Sequence, residues 1–325
     1  MTTREAVSTL TADDSSSSST TSPFHPNCMQ GRVALITGGG SGIGFEIARQ
    51  FLRHGCQAVV LCGRRATFLQ RACDILQSEH ASGTVALYCY YFVCDVRKPQ
   101  DCVAAVDYCR QATGRLDVLV NAAAGNFLAQ AAQLSPKGFE TVMAIDALGT
   151  FQMSKAAYPL LKETSSSSSS SSSNATSVII NISATLQCPA THWQAHASAA
   201  KAAVDSLTRS LALEWGPDGI RVVGIAPGPI ANTPGTTKLA PGLTVQETED
   251  LIADGIPLGR MGQAWEIGHA AVYLSTAAYV TGNVLIVDGG QWLYKPPLVP
   301  GDMVAQLSRQ VEATSRAQAP TRSKL

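Results

Sequence analysis

The chain has 325 residues with 24 basic and 24 acidic side chains, and only 15% of its residues are charged. That length is ample for a sizeable core, and a formal net charge of zero supplies no long-range field for nucleic acid or an anionic membrane surface. No apolar run reaches the roughly 18 to 20 residues of a membrane span, and the N-terminus lacks a basic stretch followed by an apolar one, so a soluble, non-secreted chain is expected.

Residues 1–28 are rich in Ser and Thr with almost no apolar periodicity, and are expected to form a disordered tail before a single domain over 29–298. The first strand is predicted at Val33 to Thr37. It runs into Gly38, Gly39, Gly40, Ser41, Gly42, Ile43 and Gly44, and then into a helix on which Ile43, Ile47 and Phe51 recur every fourth residue. Glycines there permit positive φ and close backbone approach, so the loop is expected to rest a pyrophosphate on the first amides of the helix. A second strand, Ala58 to Cys62, ends in Gly63-Arg64-Arg65. An NAD enzyme would place an acidic residue there for the ribose hydroxyls, whereas arginine suits a 2′-phosphate, so NADPH is the expected cofactor.

Further strands are predicted at Leu87 to Cys94, Val118 to Asn121, Val178 to Ser183, Val222 to Ala226 and Val284 to Asp288. An apolar helical segment ends near Leu161, and the serine run Ser165 to Ser173 reads as an extended surface loop within an insert over 164–175. A second helical pattern joins Val204, Leu207, Leu211 and Trp215. The sequons at Asn174 and Asn181 are expected to be unused, and residues 299–325 are expected to be a C-terminal tail, flexible from about Arg309. Strands alternating with helices predict an α/β fold, a doubly wound Rossmann-type parallel sheet of about seven strands with helices on both faces.

The scattered cysteines (Cys28, Cys56, Cys62, Cys73, Cys89, Cys94, Cys102, Cys109 and Cys188) show neither C-x-x-C pairs nor metal-ligand spacing, which predicts reduced thiols in a reducing compartment. His192 and His196 are predicted on one helix at i and i+4, but no acidic ligand or H-E-x-x-H pattern accompanies them, so no metal is expected. Trp193, Trp215 and Trp265 read as packing residues of helices around the sheet.

Lys201 lies on the same predicted helix, and Ala197 stands four residues before it. A phenol one turn from a lysine is the usual proton donor to a carbonyl oxygen, because the ammonium lowers its pKa. Its absence argues against simple ketone reduction.

Over roughly residues 30–295 the chain resembles the short-chain dehydrogenase/reductase family. The resemblance is carried by Thr37 to Gly44, by the strand-end Asp95 with Val96, by Asn121-Ala122-Ala123-Ala124-Gly125, and by Pro227-Gly228-Pro229-Ile230 running on to Thr233. It implies that these positions, with Lys201, bind the cofactor. Within the family, Ala122 to Leu128, Val142 to Phe151, His196 to Lys201 and Glu214 to Pro217 are similar to the 2,4-dienoyl-CoA reductases. Ala197 in place of Tyr, Asp146 in place of Asn, and Leu186 where the mitochondrial branch keeps a tyrosine resemble the peroxisomal branch. The ending Ser323-Lys324-Leu325 spells a peroxisomal import signal and agrees with that branch.

The resemblance implies NADPH-dependent reduction of a trans-2,4-dienoyl-CoA to a trans-3-enoyl-CoA. Asp146, with a water, is the expected proton source, and Lys201 the residue that holds the nicotinamide ribose. Asn126 and Phe127 are assigned to the acyl and thioester region, and Arg64, Arg97 and Lys238 to the CoA phosphates. Counting back from Lys201 puts Ala184, not Ser183, at the family's serine spacing, so Ser183 receives no role. The implied partners are a fatty acyl-CoA, the peroxisomal import receptor and further copies of the chain in a homo-oligomer. Two alternatives remain open: a carbonyl or 3-oxoacyl thioester reductase, and a nicotinamide-binding protein without catalysis.

Overall fold

The stretch Val33–Thr37, β1, is uncharged and every one of its side chains is buried, the composition of a strand covered on both faces. The computed structural model describes residues 22–80, 87–168, 176–188, 190–239, 242–297 and 299–317. After β1 come α1 (Gly42–Arg53), β2 (Ala58–Gly63), α2 (Ala66–His80), β3 (Tyr88–Val93), α3 (Pro99–Thr113) and β4 (Val118–Asn121). The second half contains α4 (Pro136–Met143), α5 (Gly149–Ser168), β5 (Ser177–Ile182), α6 (Ala195–Trp215), β6 (Ile220–Pro227), α7 (Pro234–Leu239), α8 (Val245–Ala253), α9 (Ala264–Thr276), β7 (Val284–Val287) and α10 (Val304–Ala317).

The strands form one sheet in the order β3-β2-β1-β4-β5-β6-β7, and every pairing is parallel. This is the doubly wound sheet that the alternation predicts, with the order reversing between β1 and β4. Successive strand residues supply opposite faces, the consequence of a two-residue side-chain period. Ala34 and Ile36 join Val59, Leu61, Ile47, Phe51 and Ile267 on one face. Val33 and Leu35 join Val60, Leu119, Val106, Met153 and Leu211 on the other.

The predicted tails and loops differ from what is observed at three places. Ser22 to Cys28, assigned to a disordered tail, are ordered: Ser22 Oγ lies 2.6 Å from His54 Nε2, and Phe24 packs edge-on against His54 and His269 at 5.8 Å each. The serine run does not open as a loop. Ser165 to Ser168 extend α5, and buried Ser165 donates to Gly219 O at 2.7 Å, so a tertiary partner overrides the weak helix preference of serine. The rest of the run, with Asn174, lies outside the described residues, as do residues 1–21. Of the segment expected to be flexible from Arg309, the residues through Ala317 belong to α10, while 318–325, with Ser323-Lys324-Leu325, lie outside the described residues. Asn181, in the second sequon, is fully buried and donates to Thr208 Oγ1 at 2.9 Å.

Between α4 and α5 the helix widens into a π-helical turn, Ala144–Leu148, an arrangement frequent at functional sites. The following Gly149 is required by close packing: a Cβ there would stand 2.6 Å from Val96 Cγ2.

Candidate active site

Glycine at position 38 is the first constraint on the site. Gly38 has φ +68°, and a Cβ on it would lie 2.7 Å from the Ala122 carbonyl oxygen, so only glycine lets the chain turn between β1 and β4. Ser41, next to α1, is extended and makes no capping bond through its side chain, and the first turn carries no acidic residue. The leading amides of α1, with the positive end of its dipole, are therefore available to an anion.

These residues form one side of a 970 Å³ cleft that runs along the carboxyl ends of the strands, the place where ligands bind in open α/β sheets. At the end beside β2, where the family resemblance places the adenine, it is lined by Arg64, Arg65, Phe68, Asp95 and Val96. Arg65 stacks on the Phe68 ring at 3.7 Å. Asp95 accepts from Arg97 Nε at 2.9 and 3.1 Å, and those hydrogen bonds hold its carboxyl down at about 2. The glycine cradle, the uncapped helix start and the exposed arginine pair fit a phosphorylated dinucleotide.

At the other end, the π-helical turn carries Asp146 inward, leaving it 2% exposed. Its Oδ1 accepts from Gly125 N at 2.7 Å, and its Oδ2 lies 3.0 Å from Lys201 Nζ. Lys201 also donates to the Ile182 carbonyl at 3.0 Å. An ammonium has three donors, so one N–H of Lys201 remains for a ligand. Ala197, one turn before Lys201 on α6, is buried with Ala200 and Val142 against Met143 and Leu186. Where a phenol would stand there is a methyl group in an apolar cluster.

A family model described as enoyl-(acyl carrier protein) reductase matches residues 38–291. The chain belongs to the short-chain dehydrogenase/reductase family. It is 51% identical over 299 residues to a protein of Arabidopsis thaliana named peroxisomal 2,4-dienoyl-CoA reductase [(3E)-enoyl-CoA-producing], covering 91% of this chain and 96% of that one. A Pongo abelii protein of the same name is 43% identical, with 86% and 89% covered. Among solved structures, a 3-ketoacyl-(acyl-carrier-protein) reductase from Brucella melitensis complexed with NADH aligns with a TM-score of 0.71 at 29% identity, over 81% of this chain and 99% of that one.

Most positions expected from the family pattern meet in the cleft. Gly38, Gly40 to Gly44, Ala122, Ala123, Asn126, Asp146, Lys201, Pro227 to Ile230 and Thr233 all line it. Gly39 backs onto Leu61 instead of lining it. Asn121 also differs: its side chain turns beneath the cleft, donating to Ser154 Oγ at 3.0 Å and to Asn181 Oδ1 at 2.9 Å. It ties β4 to β5 and α5 and offers no side-chain contact to a cofactor. Phe127 is packed against the His196 ring at 4.3 Å between centroids and is not on the cleft lining. Arg97 is engaged by Asp95 through Nε and Nη2, which leaves Nη1 to meet a phosphate. The side chain of Lys238 lies outside the described residues.

Two helix assignments are corrected. His192 and Trp193 lie in the turn before α6, so His192 and His196 do not share a helix face, and Trp193 is not a packing residue: 57% of it is exposed. Burial pushes the His196 imidazole below its usual range, with the charge of Asp146 opposing.

A second anchor on α6 was not anticipated from the residues alone. Asp205, one turn after Lys201, accepts from Ser183 Oγ at 2.5 Å and from Gln187 Nε2. Burial raises its pKa against those two hydrogen bonds. With Ser198 Oγ donating to Leu186 O at 3.0 Å, α6 fixes the loop after β5. The only hint was spacing, since residues 201 and 205 share a helix face.

Proposed function

We propose that the chain catalyses NADPH-dependent reduction of trans-2,4-dienoyl-CoA to trans-3-enoyl-CoA in the peroxisome, in the breakdown of polyunsaturated fatty acids. The observation that carries the reaction class is Ala197 beside the Lys201–Asp146 pair. A ketone reductase must protonate an alkoxide oxygen, and no phenol stands at the position that does so. A dienoyl thioester needs none. Hydride added at the far end of its conjugated system leaves a dienolate whose charge reaches the thioester oxygen, and the proton then goes to the carbon next to the thioester.

Bound in the cleft, NADPH supplies that hydride. Lys201 holds the nicotinamide ribose through its remaining N–H and places positive potential near the dienolate. Asp146, fixed by Gly125 N and Lys201, keeps lone pairs free to orient the water that delivers the proton. Asn126 donates one Nδ2 hydrogen to Gln194 Oε1 and has a second for the thioester. Arg64 and Arg65 take the 2′-phosphate, and Arg64 with Arg97 and Lys238 serves the CoA phosphates. Import proceeds through a receptor that reads Ser323-Lys324-Leu325, and the working form is a homo-oligomer.

The test is turnover of NADPH by the purified protein with 2,4-hexadienoyl-CoA, a ketone and a 3-oxoacyl-CoA, with product analysis for the 3-enoyl thioester. Reduction of the diene alone is expected. Turnover of the carbonyl compounds without the diene overturns the reading, as does NADPH binding with no turnover. Deleting Leu325 should leave a tagged protein in the cytosol.

A further inference from the structure

Trp193 has φ 60°, a left-handed backbone that a bulky residue adopts only where its surroundings impose it. Burial of the indole does not impose it, since the side chain is more than half exposed. The backbone does. The Trp193 carbonyl accepts from Ala129 N at 2.9 Å, and buried Gln194 accepts from Asn126 Nδ2 at 2.5 Å. Both bonds clamp the turn before α6 to the segment after β4. The indole is thereby held on the cleft lining, together with Leu128 and Leu186, while still facing solvent. Trp292 and Tyr294, from the segment after β7, line the same cleft and are also exposed. Exposed aromatics along a ligand cleft mark a surface that a ligand covers.

We propose that Trp193 is a specificity-determining residue that sets acyl-chain length, its indole forming the surface on which the distal methylenes of a longer chain lie; this rests on the dienoyl-CoA reading above. The reacting diene is addressed by Asp146 and Lys201, so a chain too short to reach the indole loses nothing when it is removed. The occupant is apolar because Leu128 and Leu186 accompany Trp193 on the lining, whereas the arginines that suit phosphate lie at the adenine end.

The test compares wild type, Trp193→Ala and Trp193→Phe with NADPH and either 2,4-hexadienoyl-CoA or 2,4-decadienoyl-CoA. Trp193→Ala should lower kcat/KM for the longer substrate about tenfold, mainly through KM, and leave the shorter within about twofold, while Trp193→Phe keeps the wild-type ratio. Equal losses on both, as for an indole stacked on the CoA adenine, overturn the proposal, as do an unchanged ratio or a gain on the longer chain. Wild type that reduces neither diene removes the parent reading instead, and a measurement without turnover then decides. Decanoyl-CoA added to the NADP-bound protein should shift tryptophan emission further to the blue in wild type than in Trp193→Phe, which keeps Trp292 on the cleft, and hexanoyl-CoA should show no such difference. No shift in wild type with decanoyl-CoA overturns the proposal.

Discussion

The two ends of the cleft are built by different means. At the adenine end the chain presents mostly backbone: Gly38 to Gly44 follow one another, the amides of α1 come with them, and Arg64 and Arg65 stand at the tip of the neighbouring strand. At the reacting end the groups come from four places: Gly125 after β4, Asp146 in the π-helical turn, Ile182 at the end of β5 and Lys201 on α6. At the first end the glycines set the backbone path and the charge comes from two exposed arginines. The second depends on one buried ion pair, where removing either partner strands the other in a low-dielectric setting.

The sharpest way to break that contrast is at the pair itself. Lys201→Met should leave Asp146 buried without its counter-charge, lowering stability by about 3 kcal/mol or more in denaturant unfolding, and should abolish most turnover. Asp146→Ala should cut turnover by about 10² or more if the carboxylate handles the proton. The double variant Asp146→Asn/Lys201→Met should recover stability and not turnover, separating the structural from the chemical role of the pair.

At the glycine end, Gly38→Ala should act through the backbone. Its Cβ meets Ala122 O at 2.7 Å with φ at +68°, so a loss of about 1–2 kcal/mol is expected, with a raised KM for NADPH and a kcat close to wild type at saturation. The double variant Arg64→Ala/Arg65→Ala should lower the ratio of NADPH to NADH efficiency about tenfold without reducing NADH turnover, as expected for loss of charge-assisted bonds to one phosphate. An unchanged ratio would assign the 2′-phosphate elsewhere.

The smallest effect is on the acid side of the stability profile. Arg97 holds the Asp95 carboxyl at about 2, below its ordinary 3.8. A carboxyl whose folded pKa is depressed adds stability above its unfolded pKa, and that stability drains as pH falls from about 4 to about 2. Arg97→Gln should therefore lower stability slightly at neutral pH, as for an exposed ion pair, and flatten the further loss between about pH 4 and about pH 2, where variant and wild type converge. Acyl-CoA KM measured on the same variant shows whether Arg97 also serves a CoA phosphate.

What could be read without the structure was local or periodic. The sheet strands announced themselves as short apolar runs, and β1 and β4 fall at their predicted limits, because a strand covered on both faces must be apolar throughout. The glycine loop was legible because its conformational demand falls on consecutive residues. Where the sequence misled, a partner distant along the chain decided the outcome. Ser165 is helical because Gly219 receives its hydroxyl. Asn121 faces inward because Ser154 and Asn181 await it. Trp193 is on the cleft because Ala129 holds its carbonyl.

By itself, the sequence determined the parallel sheet, the dinucleotide loop and the absence of a phenol before Lys201, all properties of neighbouring residues or of fixed helical spacing. Only the tertiary structure decided that Asp146 and Lys201 meet at 3.0 Å, because that contact depends on a π-helical turn that rotates Asp146 inward. It also decided that Asp205 anchors the loop after β5 and that an exposed indole lines the cleft. Each of these needs two segments brought together by packing, and no local pattern encodes which segments those will be.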